Sequence, residues 1–233
     1  MRAVLFDLDG TLLDIDIDAF LRRYFGRLGP LVSELVGTHV DPARAIEIVM
    51  SATRAMMRPH PGLTNQSAFD RSFVEATGVD LDTAYVRFTE FYETEFPLLR
   101  DGLGPAPGAV ETVETALSLG LRVAVATNPI FPEIAIRQRM SWAGVADLDI
   151  PVVTTFEIMH ACKPNPAYFL ETAELLGVPP TACLMVGDDA QLDMPAANVG
   201  MATYFVGAHV PPSATYSGPL RELATLLPRL AAV

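Results

Sequence analysis

The fold of this chain is set near its N-terminus by VLFDLDGTLLD at residues 4–14. The apolar run 4–6 is typical of a short buried strand, and Asp7 stands at its carboxyl end. Asp9 and Gly10 then turn the chain. Because open parallel sheets bind ligands beyond the carboxyl ends of their strands, two aspartates at this position predict a functional site.

Strand-like and helix-like segments alternate through the C-terminal half of the chain. Helical patterns separate or follow the strands, at about 108–119, 131–142, 166–176, 191–199 and 219–230. The apolar runs that predict buried parallel strands lie at 122–126, 151–154, 182–186 and 203–206. This alternation predicts an α/β protein with a three-layer α/β/α core and a Rossmann-like parallel sheet, to which the first strand also belongs.

The segment between the first and second strands of the sheet is helical in pattern. Two stretches, at about 16–57 and 66–95, carry apolar residues at helical spacing, and a Pro- and Gly-containing turn separates them. No strand is expected inside this region. We therefore predict an all-helical cap domain at 15–100, inserted into a core domain that comprises 1–14 and 101–233.

Charge and composition limit the partners of the protein. The net charge is -12, so the surface repels nucleic acid on average. No apolar run is long enough to cross a bilayer, and the N-terminus lacks the layout of a signal peptide. The two cysteines, Cys162 and Cys183, fit no metal-binding spacing and are expected to be free thiols. We expect a cytoplasmic monomer or homodimer without nucleic-acid or membrane partners.

A single lysine stands out among the basic residues. Fifteen of the sixteen are arginines, and the remaining one is Lys163. Lysine offers a compact ammonium on a flexible stem, which a guanidinium does not imitate. Lys163 opens the predicted helix after strand 151–154, so we expect its ammonium at the same sheet edge as Asp7.

Polar residues also follow two other predicted strands. Thr127 and Asn128 end the strand at 122–126, whereas Asp188 and Asp189 follow 182–186. A carboxylate can attack phosphorus to form an acyl phosphate, and two carboxylates at positions i and i+2 can divide attack and proton transfer. Several carboxylates in one pocket repel one another strongly without a cation, and hard oxygen ligands favour Mg²⁺.

The four segments DLDGTLLD, ATN, KPNPAYF and VGDDAQLDMPAANVGM resemble, in this order, the four motifs of the haloacid dehalogenase superfamily. The helical insertion after the first motif is similar to the C1 cap of that family. The resemblance implies a Mg²⁺-dependent phosphatase that hydrolyses a small phosphorylated metabolite through an aspartyl-phosphate. The dehalogenase branch generally lacks the second aspartate of the first motif, so Asp9 counts against dehalogenation.

The resemblance also assigns roles to individual residues. Asp7 is the expected nucleophile and Asp9 the expected general acid and base, with Lys163 and Thr127 as further catalytic residues. The expected substrate contacts are Gly10, Thr11, Thr127, Asn128 and Lys163. The expected metal ligands are Asp7, Asp9 through its backbone carbonyl, Asp188, Asp189 and Asp193. Of Asp189 and Asp193, one is expected to position Lys163 or a metal-bound water, and the other can equally be a helix cap.

Two alternatives to a phosphatase stay open at this point. One is a sugar phosphomutase of the same superfamily, in which the cap retains a diphosphate intermediate while it reorients. The other is a non-catalytic protein that binds or senses a phosphorylated ligand. Ile15 replaces the Ser or Thr that many capped phosphatases and mutases carry after the first motif, so the sequence selects no particular substrate.

Overall fold

The structure is a computed structural model that describes residues 1–37 and 40–232. Its main sheet has six parallel strands in the order β5-β4-β1-β6-β7-β8, and β2 and β3 form a separate antiparallel pair. The strands are β1 (Ala3–Phe6), β2 (Leu13–Asp14), β3 (Gly104–Pro105), β4 (Arg122–Val125), β5 (Val152–Val153), β6 (Cys183–Gly187), β7 (Ala202–Phe205) and β8 (Tyr216–Ser217).

Eight α-helices accompany these strands within the described residues. They are α1 (Ile17–Val36), α2 (Pro42–Met56), α3 (Asn65–Thr77), α4 (Leu81–Thr94), α5 (Ala109–Ser118), α6 (Glu133–Trp142), α7 (Pro166–Leu175) and α8 (Leu220–Ala231). Short 3-10 turns cover Phe96–Arg100, Pro180–Ala182 and Met194–Val199.

Strand β1 is buried on both faces and holds the core together. All four of its side chains are inaccessible to solvent. Val4 and Phe6 belong to the cluster that includes α5, α6 and α8, whereas Ala3 and Leu5 belong to the cluster that includes α7. This alternation follows from the two-residue period of a strand. The predicted three-layer α/β/α core is therefore confirmed.

The helical cap consists of α1 to α4, and polar residues mark where these helices begin. The carboxylate of Asp16 accepts a hydrogen bond from Ala19 N at 2.9 Å, and Asp41 and Asp80 cap α2 and α4 in the same way. The side chain of Thr64 caps α3. Such caps satisfy backbone donors that have no partner within the helix. Each of the two predicted helical stretches is thus a pair of helices, and the predicted all-helical cap after the first strand is confirmed.

Three details differ from the sequence-based expectation. The pair β2–β3 and the edge strand β8 were not expected, because these two-residue strands, unlike β5, do not lie within a longer apolar run. The helix expected at 191–199 is a 3-10 turn at Met194–Val199. Strand β2 pairs with β3 at the points where the chain leaves the core and returns to it; the cap boundaries at 15 and 100 stay a prediction.

None of the helices in the described ranges has both the length and the apolarity that a membrane span requires.

Candidate active site

The strand-end residues named above lie close together at the carboxyl edge of the sheet. Asp7 follows β1, and its backbone N donates to Val186 O in the neighbouring strand at 2.9 Å. Asp188 follows β6. Thr127 and Asn128 follow β4, and Lys163 lies between β5 and α7. Parallel strands end at one edge, so segments far apart in sequence meet here.

Lys163 joins two buried carboxylates at the centre of this edge. Its Nζ donates to Asp7 Oδ1 at 2.7 Å and to Asp193 Oδ1 at 2.5 Å. Burial by itself would lower the pKa of Lys163, but the charges of Asp193 and Asp7 outweigh it and raise that pKa above its ordinary value. The ammonium is therefore charged at neutral pH, next to the oxygen of the expected nucleophile.

Three of the aspartates form a cluster that can hold a metal ion. One carboxylate oxygen from each of Asp7, Asp188 and Asp193 lies within 4.8 Å of the other two. Burial raises the pKa of Asp7 well above its usual range, and Lys163 only partly opposes this. Burial also raises the pKa of Asp188 to about 6, with Asp193 adding to the shift. Such a shortage of positive charge among oxygen ligands fits a divalent cation.

Gly10 and Thr11 support this cluster from the loop after β1. Gly10 has a φ of +81°, and a Cβ there would lie 2.3 Å from Asp188 Oδ2, so the position requires glycine. The hydroxyl of Thr11 donates to Asp188 Oδ1 at 3.2 Å. Both residues, expected as substrate contacts, thus lie against an expected metal ligand.

Asp189 and Asp193 have different surroundings although both follow β6. Asp193 is buried and accepts from Lys163, while its Oδ2 accepts from Asp189 N at 3.0 Å. Asp189 is exposed, and its Oδ1 accepts from the backbone N of Gln191 at 2.7 Å and of Leu192 at 3.0 Å. The structure brings Asp193 to the lysine and does not bring the Asp189 carboxylate into the cluster.

The loop after β4 is fixed by hydrogen bonds on both sides. Asn128 Oδ1 accepts from Lys163 N at 3.1 Å, which leaves the amide nitrogen as the donor of that side chain. Thr127 O accepts from Thr154 Oγ1 at 2.7 Å and from Tyr168 OH at 2.9 Å. Thr127 and Asn128 are therefore held beside Lys163, in a position suited to an anion.

The buried Arg139 of α6 is a further residue of this region, and it was not among the predicted site residues. Its side chain is 1% exposed, and its Nη1 pairs with Asp9 Oδ2. A signal was available, because Arg139 follows Ala135 and Ile136 at helical spacing and so falls on the buried face of the predicted helix. A charged residue on such a face requires a partner.

The cap contacts this edge and encloses an apolar cavity beside it. Asn65 at the start of α3 is fully buried, and its Nδ2 donates to Pro129 O at 3.1 Å and to Ala161 O at 3.3 Å. The cavity has a volume of about 450 Å³ and lies between the cap helices and the loops that follow β4 and β5. Its lining is mainly apolar and aromatic, and includes Leu21, Tyr24, Phe69, Phe73, Phe88 and Phe131.

The fold and the strand-end residues define a capped hydrolase with a Rossmann-like core. A family model for haloacid dehalogenase-like hydrolases matches residues 1–200. The chain belongs to the haloacid dehalogenase-like hydrolases, which confirms the resemblance seen in the four motifs.

Individual relatives agree with this assignment. The chain is 28% identical over 235 residues to Phosphatase MT3486 of Mycobacterium tuberculosis, covering 97% of this chain and 95% of that protein. It is 32% identical over 191 residues to the chloroplastic protein SUPPRESSOR OF QUENCHING 1 of Arabidopsis thaliana, with 81% of this chain matched to 16% of that much longer protein. The crystal structure of a HAD phosphatase from Thermococcus onnurineus superimposes with a TM-score of 0.63 at 26% identity, covering 97% of this chain and 98% of that one.

Proposed function

We propose that this hydrolase acts on phosphate esters as a Mg²⁺-dependent phosphatase, and that it cleaves a small phosphomonoester through an aspartyl-phosphate on Asp7. The observation that carries the proposal is the contact of Lys163 Nζ with Asp7 Oδ1 at 2.7 Å, within a cluster of three aspartates. The Mycobacterium and Thermococcus relatives, both called phosphatases, support the reaction class.

The reaction would take place in two displacements at phosphorus. A carboxylate oxygen of Asp7 attacks the phosphorus atom, and the bond from phosphorus to the ester oxygen breaks while Asp9 gives that oxygen a proton. Asp9, now ionised, takes a proton from a water molecule that attacks the phosphorus of the aspartyl-phosphate. The phosphorus–Asp7 bond breaks, and inorganic phosphate leaves.

Three other residues would bind the transferring phosphoryl group. The ammonium of Lys163 lies at the nucleophile and offsets negative charge on both Asp7 and the phosphoryl oxygens. The Thr127 hydroxyl and the Asn128 amide nitrogen are donors at the end of the next strand. Asp193 fixes the lysine, since it accepts from Nζ at 2.5 Å.

We propose Asp7, Asp188 and the backbone carbonyl of Asp9 as the magnesium ligands. When bound, Mg²⁺ supplies positive charge to the phosphoryl oxygens and offsets the repulsion among the carboxylates. Asp188 is held for this role by the Thr11 hydroxyl and by the close approach of Gly10.

The cavity of about 450 Å³ lies within the usual range for small-molecule sites. We propose that it receives the leaving group of a small phosphorylated metabolite, and that the enzyme acts in the cytoplasm as a monomer or homodimer. Phe131 in its wall follows Asn128 closely in sequence and packs on Arg139, so the cavity adjoins the catalytic edge.

Release of inorganic phosphate from a panel of phosphomonoesters, with and without Mg²⁺, tests the proposal. The Asp7→Asn protein is the blank, and circular dichroism checks that it is folded. We expect Mg²⁺-dependent release that disappears in the blank. Turnover that needs a sugar diphosphate and yields an isomeric phosphate would identify a phosphomutase instead. Tight binding without turnover would identify a binding protein.

A further inference from the structure

Asp7 and Asp9, the first two aspartates of the first motif, are each paired with a buried cation. Asp7 is paired with Lys163, and Asp9 is paired with Arg139, whose Nη1 donates to Asp9 Oδ2. The two cations come from different elements, the loop before α7 and helix α6. The proposed nucleophile and the proposed acid and base are thus held separately.

The guanidinium of Arg139 is fixed by packing as well as by its charge. Its carbon Cζ lies 4.4 Å from the centre of the Phe131 ring, and its Nε donates to Ala135 O at 3.5 Å. A cation stacked on an aromatic face gains electrostatic attraction and loses side-chain freedom. The position of Nη1, and with it the position of the Asp9 carboxylate, is therefore well defined.

Burial of this arginine is hard to explain by stability alone. Removing a guanidinium from water is unfavourable, and apolar side chains of similar volume often stabilise such a position equally well. The pair also uses only one nitrogen and one oxygen. Within residues 1–37 and 40–232, Asp9 Oδ1 and Arg139 Nη2 are buried without a hydrogen-bond partner. One carboxylate oxygen is thus held by the guanidinium, and the other is not committed to any hydrogen bond among the described residues.

We propose that Arg139 is a positioning residue that orients Asp9 for its proton transfers. It holds Oδ2, so that Oδ1 faces the ester oxygen in the first displacement and the attacking water in the second. The inference rests on the proposed function of Asp9 as general acid and base. Arg139 itself does not touch the reacting atoms.

The test compares leaving groups, because only a poor leaving group needs the proton that Asp9 gives. We would measure kcat/KM, which reports phosphoryl transfer to Asp7, for p-nitrophenyl phosphate and for a simple alkyl phosphate. General acid catalysis contributes about 100-fold or more to such a step. Arg139→Met should therefore lower kcat/KM for the alkyl ester by about 10- to 100-fold, and for the nitrophenyl ester only slightly.

Three further variants complete the experiment. Arg139→Lys keeps a cation that can reach one oxygen and should restore part of the loss. Arg137→Met removes the exposed arginine two positions earlier, which pairs with Glu133, and should behave like the wild type. Asp9→Asn should show the same leaving-group selectivity, and adding Arg139→Met to it should cause little further loss on the alkyl ester.

The possible results separate cleanly. Equal losses on both esters in a folded Arg139→Met protein, or no loss on either, would overturn the inference while the phosphatase assignment stands. If Arg139→Met does not fold, Arg139→Lys decides, since its loss on the alkyl ester must exceed its loss on the nitrophenyl ester. A wild-type protein inactive on every ester would overturn the proposed function, and this inference with it.

Discussion

Replacing Lys163 with methionine should destabilise the protein strongly, because this lysine joins two buried carboxylates. Its Nζ lies 2.7 Å from Asp7 Oδ1 and 2.5 Å from Asp193 Oδ1. The side chains of Lys163 and Asp193 are 1% and 2% exposed, so water cannot replace the lost ammonium. Methionine keeps most of the volume and removes the charge, which isolates the electrostatic part of the effect.

The magnitude follows from the burial of the pair. Removing one partner of a buried ion pair costs about 3–5 kcal/mol, since an unpaired charge is left behind. An exposed pair provides the matched control: Arg71 Nε lies 3.0 Å from Glu75 Oε1, with side chains 72% and 66% exposed. Arg71→Met should therefore reduce the free energy of unfolding by only about 0.3–0.5 kcal/mol.

Urea unfolding at neutral pH with EDTA, followed by circular dichroism, measures both changes. Adding Asp193→Asn to Lys163→Met should recover part of the loss, because it removes one of the two unpaired carboxylates. If Lys163→Met and Arg71→Met lowered the free energy of unfolding to a similar extent, the buried arrangement described here would be refuted.

Four further predictions concern the metal cluster, the thiol, the glycine turn and the cavity. Burial raises the pKa of Asp188 to about 6, so without metal this carboxyl group is protonated below that pH. The folded protein is then destabilised as the pH rises through that value, because the buried group must ionise. Mg²⁺ should raise the melting temperature clearly at pH 7.5 and little at pH 5, and equal shifts would contradict the site. Burial raises the pKa of Cys162 to about 12, which leaves a thiolate fraction of about one in ten thousand at pH 8; iodoacetamide should label it only after unfolding, and rapid labelling of the native protein would be inconsistent with its burial. Gly10 and Gly62 have φ angles of +81° and +77°, but only at Gly10 would a Cβ meet Asp188, so Gly10→Ala should lose about 100-fold in phosphate release while Gly62→Ala stays active; similar activities would argue against the close approach. Across a series of n-alkyl phosphates, each added CH₂ should raise kcat/KM about fourfold, and Ala84→Trp, which fills the cavity, should abolish this dependence; a rate independent of chain length in the wild type would exclude the cavity as the leaving-group site.

The core strands could be predicted because they are apolar runs with clear ends. β1, β4, β6 and β7 each contain at least four residues, mostly buried, so the sequence shows a period and a length. The edge strand β8 consists of Tyr216 and Ser217, which are both exposed, and nothing in such a dipeptide distinguishes it from a loop. Its pairing with β7 depends on the tertiary structure.

The strand-end part of the site could be predicted for a similar reason. Parallel strands end at one edge, so Asp7, Lys163 and Asp188 were expected to meet, and the structure brings them together. Local pattern could not decide between Asp189 and Asp193. Both follow β6, and only the path of the loop turns Asp193 inward to Lys163 and leaves Asp189 in solvent.

The ion pair between Arg139 and Asp9 could not be predicted from local sequence patterns. The helical spacing indicates that Arg139 lies on a buried face, but its partner Asp9 is 130 positions away in the sequence. Only the packing of α6 against the loop after β1 makes the pair visible. Long-range pairs of this kind depend on how elements dock, which the sequence of either element does not contain.

The central claim is that Asp7 carries the phosphoryl group during turnover. The most direct test is to mix the enzyme with Mg²⁺ and a phosphomonoester that it hydrolyses, quench within the first turnovers in acid, and map the digest by mass spectrometry. We predict a phosphoryl group on the peptide that contains Asp7, removed by hydroxylamine as an acyl phosphate should be, and absent from Asp7→Asn. Turnover without this modified peptide, or a phosphoryl group on another residue, would contradict the account.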